Sequence, residues 1–212
     1  MKRETGIILA LDVTDPEIAI DIAKDVEEYI DAIKVNYPLV LSSGLQVVRL
    51  LSTIRPVICD FKVADIPNTT RLIVKRVKDI GAAGIIIHGF VGVESMKEAI
   101  KTAGDMDVYV VSEMSHPGAE VFFEPVSESI IKTAAELGAT GLIAPATRPE
   151  RIRYIRDIAG KDMKILSPGV GAQGGSGKRA IEAGADYIIV GRSIYEAENP
   201  KKAAELLYCS LQ

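Results

Sequence analysis

Eight short runs rich in Ile and Val recur along the 212 residues, each followed by a longer stretch of helical periodicity, and this alternation narrows the fold more than any other feature. The strand candidates are 7–13, 32–35, 57–62, 84–88, 108–113, 141–144, 164–167 and 187–190. Helix candidates follow them at 16–29, 39–52, 69–80, 92–103, 126–137, 149–158, 174–183 and 199–211. Continuous apolar strands separated by helices read as parallel strands covered on both faces. Eight such units at this length predict an α/β fold, a single-domain (β/α)8 TIM barrel over 1–212, in which closure removes both sheet edges. An open doubly wound sheet is the alternative, but no GxGxxG opens the first helix as a dinucleotide fold requires.

Local signals agree with this division. Thr14-Asp-Pro-Glu17 and Thr147-Arg-Pro-Glu150 have the form of a capping box with Pro in the first turn. Asn68 is a further candidate cap. Gly81, Gly138 and Gly184 stand where a left-handed residue ends a helix.

With 48% hydrophobic and 25% charged residues the chain can bury a large core, and a net charge of -4 disfavours nucleic acid as a partner. The two cysteines, Cys59 and Cys209, are far apart and lack CxxC spacing or paired histidines, so no metal site is expected and Cys59 reads as a buried free thiol. The start, MKRETGIILALDV, is too short in its apolar part for a signal peptide or a membrane span. A cytoplasmic protein without a membrane partner is expected.

In a parallel barrel the functional face is the C-terminal end of the strands. Polar residues gather there: Asp12, Lys34, Asp60 with Lys62, His88, Glu113 with Ser115, and Gly191-Arg192. Singly each has an ordinary explanation, His88 above all as a hydrogen-bonded core histidine. Together, lysines and carboxylates at a partly buried rim must pair in order to persist. The sharpest segment is Asp60-Phe-Lys62-Val-Ala-Asp65-Ile-Pro-Asn-Thr69, where strand periodicity turns Asp60 and Lys62 into the mouth and Phe61 away. Asp65 falls beyond the strand, where periodicity no longer sets its direction. The loops Ser167-Pro-Gly-Val-Gly-Ala-Gln173-Gly-Gly and Val190-Gly191-Arg192-Ser193 follow strands 7 and 8. Glycine-rich backbone beside a guanidinium at that place suits a phosphate.

These blocks, with Ala10-Leu-Asp12, Ile33-Lys34-Val-Asn-Tyr-Pro38 and Glu113-Met-Ser-His-Pro-Gly-Ala119, resemble the orotidine 5'-monophosphate decarboxylases over essentially the whole chain. The compact length and the MSHPGA block are most similar to the archaeal type. The resemblance implies decarboxylation of orotidine 5'-monophosphate to uridine 5'-monophosphate without cofactor or metal. It implies Lys62 as proton donor within an alternating array of Lys34, Asp60, Lys62 and Asp65. By the same resemblance Asp12 and Lys34 bind the ribose, Ser115 the pyrimidine edge, and Gln173, Gly191 and Arg192 the phosphate. The loop over 168–178 resembles the family's phosphate-gripping lid, which implies substrate contacts from Pro168 and Val170. Asp65, Ile66 and Thr69 would reach the site of a neighbouring subunit, making a homodimer with shared active sites.

Two other functions compete. A keto-sugar phosphate decarboxylase shares the D-x-K-x-x-D strand but uses magnesium; here Lys34 stands near where a second acidic ligand would be needed. A non-catalytic phosphate-binding barrel would have no use for Asp60 and Lys62 facing one mouth.

Overall fold

The structure, a computed structural model, describes residues 2–212. Its strands are β1 (Ile7–Leu11), β2 (Ala32–Val35), β3 (Val57–Val63), β4 (Gly84–His88), β5 (Asp107–Val111), β6 (Gly141–Ile143), β7 (Lys164–Pro168) and β8 (Tyr187–Val190). All pair in parallel and in sequence order, and Ile7 opposite Ile188 closes β1 on β8. The expected (β/α)8 barrel is therefore the fold, and the open sheet is excluded by that closing pair. Interleaved are the helices α1 (Pro16–Asp25), α2 (Tyr37–Ser43), α3 (Gln46–Leu51), α4 (Pro67–Asp79), α5 (Val93–Ala103), α6 (Ala119–Glu136), α7 (Pro149–Ala159), α8 (Gly177–Glu182), α9 (Arg192–Tyr195) and α10 (Pro200–Leu211).

Period-2 alternation splits each strand between two apolar shells. Ile8, Ala32, Ile58, Ile86, Leu166 and Ile189 fill the barrel, while Ile7, Ile33, Val57, Ile85, Ile165 and Ile188 pack outward with the helices. Because the barrel is packed rather than open, chemistry is confined to its rim.

Helix boundaries moved for identifiable reasons. The stretch expected as one helix over 39–52 is two, parted at Gly44, whose φ of +73° ends α2. Helix α6 begins seven residues before the expected 126 and runs through Pro125. An interior proline costs about 3 kcal/mol, but here Arg148 holds Glu120 and Glu124 of the added turns and Phe123 is buried. The caps also differ from expectation. Asp15, not Thr14, caps α1; α7 follows Arg148 with no side-chain cap; and α4 starts at Pro67, so Asn68 lies inside it and accepts from Arg71 instead. Gly81, Gly138 and Gly184 do take positive φ at the expected helix ends. Cys59 is a buried free thiol, as expected, and burial pushes it up to about 12. No described helix is long and apolar enough to cross a membrane.

Candidate active site

At the C-terminal ends of the strands lies a cavity of about 690 Å³, into which β1, β2 and β3 deliver Asp12, Lys34, Asp60 and Lys62. The four side chains alternate in charge and touch in series. Lys34 Nζ lies 3.2 Å from Asp12 Oδ1 and 3.2 Å from Asp60 Oδ2. Lys62 Nζ donates to both Asp60 oxygens at 2.8 Å. Asp60 thus serves two ammonium groups. Side-chain exposure separates the lysines: 6% for Lys34 and 29% for Lys62, so Lys34 is sealed in while Lys62 faces the open cavity.

Such burial would neutralise an isolated charge. Desolvation pulls Lys34 down, but the carboxylates of Asp60 and Asp12 outweigh it and hold the ammonium above the ordinary lysine range. Desolvation pushes Asp60 up, and the ammonium groups of Lys34 and Lys62 outweigh it and hold the carboxyl below its usual range. Both stay charged at neutral pH.

Pleating alone does not produce this arrangement. Cys59 pairs with Ile85 and Val63 with Ile87, leaving Asp60, Phe61 and Lys62 opposite Ile86 only, a bulge in β3. At its end Lys62 adopts φ +42°, the one positive φ among described non-glycine residues. A backbone of this kind costs on the order of 1–3 kcal/mol and persists only where the surroundings over-determine it. Phe61 is buried away from the cavity, as expected.

Across the mouth, the loop after β5 meets the loop after β7. Ser115 Oγ donates to Gln173 Oε1 at 2.7 Å, and Pro168, Val170, Gly191 and Arg192 line the same wall. The two glycine-rich loops approach so closely that a Cβ on Gly171, itself at φ +73°, would collide with Ser193 Oγ. Arg192 is exposed, and it forms no ion pair with any described residue. An unpaired guanidinium at a cavity wall, beside backbone that glycine keeps uncovered, is a place for an anion.

Two rim residues named from the sequence point elsewhere. Glu113 has no solvent exposure and turns behind the barrel, accepting from Ser127 Oγ at 2.8 Å and Arg151 Nε at 2.9 Å. Rather than a hydrogen-bonded core histidine, His88 has no partner for Nδ1 among the described residues, and its ring lies 4.5 Å from Phe90 and 5.6 Å from Phe123. Burial, then Lys62, lowers it to about 4 against the pull of Asp60, so it is neutral at pH 7.

Asp65, Ile66 and Thr69 are not brought into the cavity. Asp65 and Ile66 are exposed beyond β3, with Asp65 Oδ1 accepting from the Ile66 amide at 2.7 Å. Conversely, the cavity uses residues that sequence reasoning assigned to other tasks or passed over. Thr147 Oγ1 donates to the Ser115 carbonyl at 3.1 Å and Arg148 donates to the Met114 carbonyl at 3.0 Å, so both anchor the loop that carries Ser115. Their place directly after the sixth strand was the available signal. Tyr195 lines the cavity from α9, a four-residue helix too short to show periodicity.

The sequence pattern described as "Orotidine 5'-phosphate decarboxylase / HUMPS family" matches residues 5–207. A protein of Methanococcoides burtonii named orotidine 5'-phosphate decarboxylase is 58% identical over 97% of this chain and 96% of its own length. One of the same name from Pyrococcus furiosus is 54% identical over 95% of each chain. Among solved structures, orotidine 5'-monophosphate decarboxylase of Methanocaldococcus jannaschii, complexed with the inhibitor BMP, superposes with a TM-score of 0.93 at 43% identity, covering 98% of both chains.

Proposed function

Because this chain belongs to the orotidine 5'-phosphate decarboxylase / HUMPS family, we infer that it converts orotidine 5'-monophosphate to uridine 5'-monophosphate, the last step of de novo pyrimidine nucleotide biosynthesis. The observation that carries this reading is the Lys62 ammonium, held by both oxygens of Asp60 and open to the same cavity as the unpaired Arg192.

Breaking the bond between carbon 6 and the carboxylate leaves an electron pair in the plane of the pyrimidine, where no adjacent π system can take it up. Stabilisation must then be electrostatic. The Lys62 ammonium meets the growing charge in a partly dry cavity, and its proton forms the new bond to carbon 6 as carbon dioxide departs. Asp60 orients Lys62, and Lys34 keeps Asp60 ionised. Asp12 and Lys34 take the ribose hydroxyls, Ser115 the pyrimidine edge, and Gln173, Gly191 and Arg192 the phosphate. Pro168 and Val170 pack from the lid over 168–178. The phosphate is remote from the breaking bond, so its binding energy closes that lid and orders the charges.

Asp65, Ile66 and Thr69 complete the site of a second subunit in a homodimer. Their position outside their own cavity supports this, as do the exposed apolar side chains of Ile66, Leu72 and Phe90 near the same end of the barrel. The reaction needs no cofactor or metal. Lys34 and Lys62 together already balance the charge of Asp12 and Asp60, the carboxylates a dication would have to use. A cytoplasmic location belongs to the same reading, in keeping with two unpaired cysteines.

The test is turnover of orotidine 5'-monophosphate, followed by loss of ultraviolet absorbance, in the presence of a strong chelator. Full turnover is expected. No turnover with or without magnesium would exclude the decarboxylase reading, and magnesium-dependent turnover of a keto-sugar phosphate acid in its place would favour the rival reaction.

A further inference from the structure

The strained Lys62 needs something to hold it, and among the described residues the group outside β3 that takes a carbonyl of the bulge by a side-chain bond is Tyr37. Its hydroxyl donates to the Phe61 carbonyl at 2.7 Å, one peptide before Lys62. Its ring stacks on the Phe61 ring, with centroids 5.3 Å apart and planes 21° from parallel. Tyr37 thereby grips residue 61 at both backbone and side chain. Tyr37 is itself fixed as the first residue of α2, where the Asn36 side chain accepts its amide at 2.7 Å and Pro38 restricts the turn. Burial and the nearby Asp60 both raise the phenol, which keeps it a proton donor over the working pH range.

We propose that Tyr37 is a positioning residue for the decarboxylation, holding the Phe61–Lys62 peptide in the bulged conformation that aims the Lys62 ammonium at Asp60 and the reacting carbon. It lies outside the substrate cavity and acts only through Lys62. Released from this clamp, the peptide relaxes toward ordinary extended backbone, for which a non-glycine residue has a steric preference. The ammonium then leaves its place between Asp60 and the cavity. Ribose and phosphate contacts come from other elements, so ground-state binding is unaffected while the chemical step slows.

The proposal rests on the decarboxylase reading, and its test separates the two. Tyr37→Phe keeps the stacked ring and removes only the donor. Its crystal structure is read at Lys62, and kcat and KM are measured beside the parent. The expected result is loss of the positive φ at Lys62, a fall in kcat of about tenfold or more, and a KM unchanged within about twofold, the pattern of a group that matters in the transition state alone. Tyr37→Trp, which restores a ring donor at a different reach, is expected to recover little. If Lys62 keeps its positive φ and both contacts to Asp60 in Tyr37→Phe, the proposal is overturned whatever the activity. A parent inactive on orotidine 5'-monophosphate would overturn the decarboxylase reading and leave the backbone angle to decide this one.

Discussion

The Ser115 hydroxyl donates to Gln173 Oε1 across 2.7 Å and so ties the loop after β5 to the loop after β7. If the pyrimidine and phosphate halves of the substrate are sensed through this link, Ser115→Ala and Gln173→Ala should not act independently. Each is expected to weaken kcat/KM, with a coupling of about 0.5–3 kcal/mol in the double variant. Strictly additive losses would show that the two loops work separately.

Lys62→Ala removes both the cation and the proton, and is expected to lower kcat by about ten-thousandfold or more. The fold should survive, because Lys34 still partners Asp60. Binding of uridine 5'-monophosphate, measured by calorimetry, should stay near the parent value. A variant that retains a tenth of the parent activity would remove Lys62 from its assigned role.

The units of the barrel were legible because the apolar period changes from 2 to 3.6 with each element, and the charged residues at strand ends followed from that division. What the sequence hid depends on contacts between elements. The β3 bulge arises from register against β4, and the turning of Glu113 away from the mouth needs Ser127 and Arg151 from two later helices. Thr147 and Arg148 look like a helix start, yet their side chains go to the loop before α6. Pro125 disguised the first turns of α6, because local propensity cannot register the pull of Arg148.

Arg192→Ala tests the phosphate assignment. Loss of a charge-assisted contact worth about 3 kcal/mol should cut kcat/KM for orotidine 5'-monophosphate by about a hundredfold. The unphosphorylated nucleoside should be processed almost as by the parent. Equal losses on both compounds would make Arg192 a structural residue.

For the shared site, inactive Lys62→Ala and inactive Asp65→Ala subunits are mixed under conditions that allow exchange. If Asp65 serves the partner, random mixing leaves roughly a quarter of the sites intact. A mixture that stays inactive despite demonstrated exchange means that Asp65 works within its own chain.

His88 predicts a pH effect on stability. Its folded value of about 4 lies below the ordinary 6.5, so in that window the unfolded chain binds the extra proton. The contribution is complete above pH 6.5 and declines as the pH falls toward 4. Urea unfolding at pH 7 and pH 5 should show a smaller loss in His88→Phe than in the parent. An identical loss would mean that His88 gains its proton as readily folded as unfolded.

The unequal exposure of the two lysines also bears on how the proposed proton donor would be recharged. With Lys62 as the proposed proton donor, each cycle would transfer one proton from it to product, and the amine left behind would have to recover it before the next cycle. Lys34, with a side chain 6% exposed, would need a buried relay for such a task. Lys62, at 29%, opens on the cavity and would need no such relay once product has left. On that reading the proton would be replenished through the same opening that admits substrate, which ties resetting to product release.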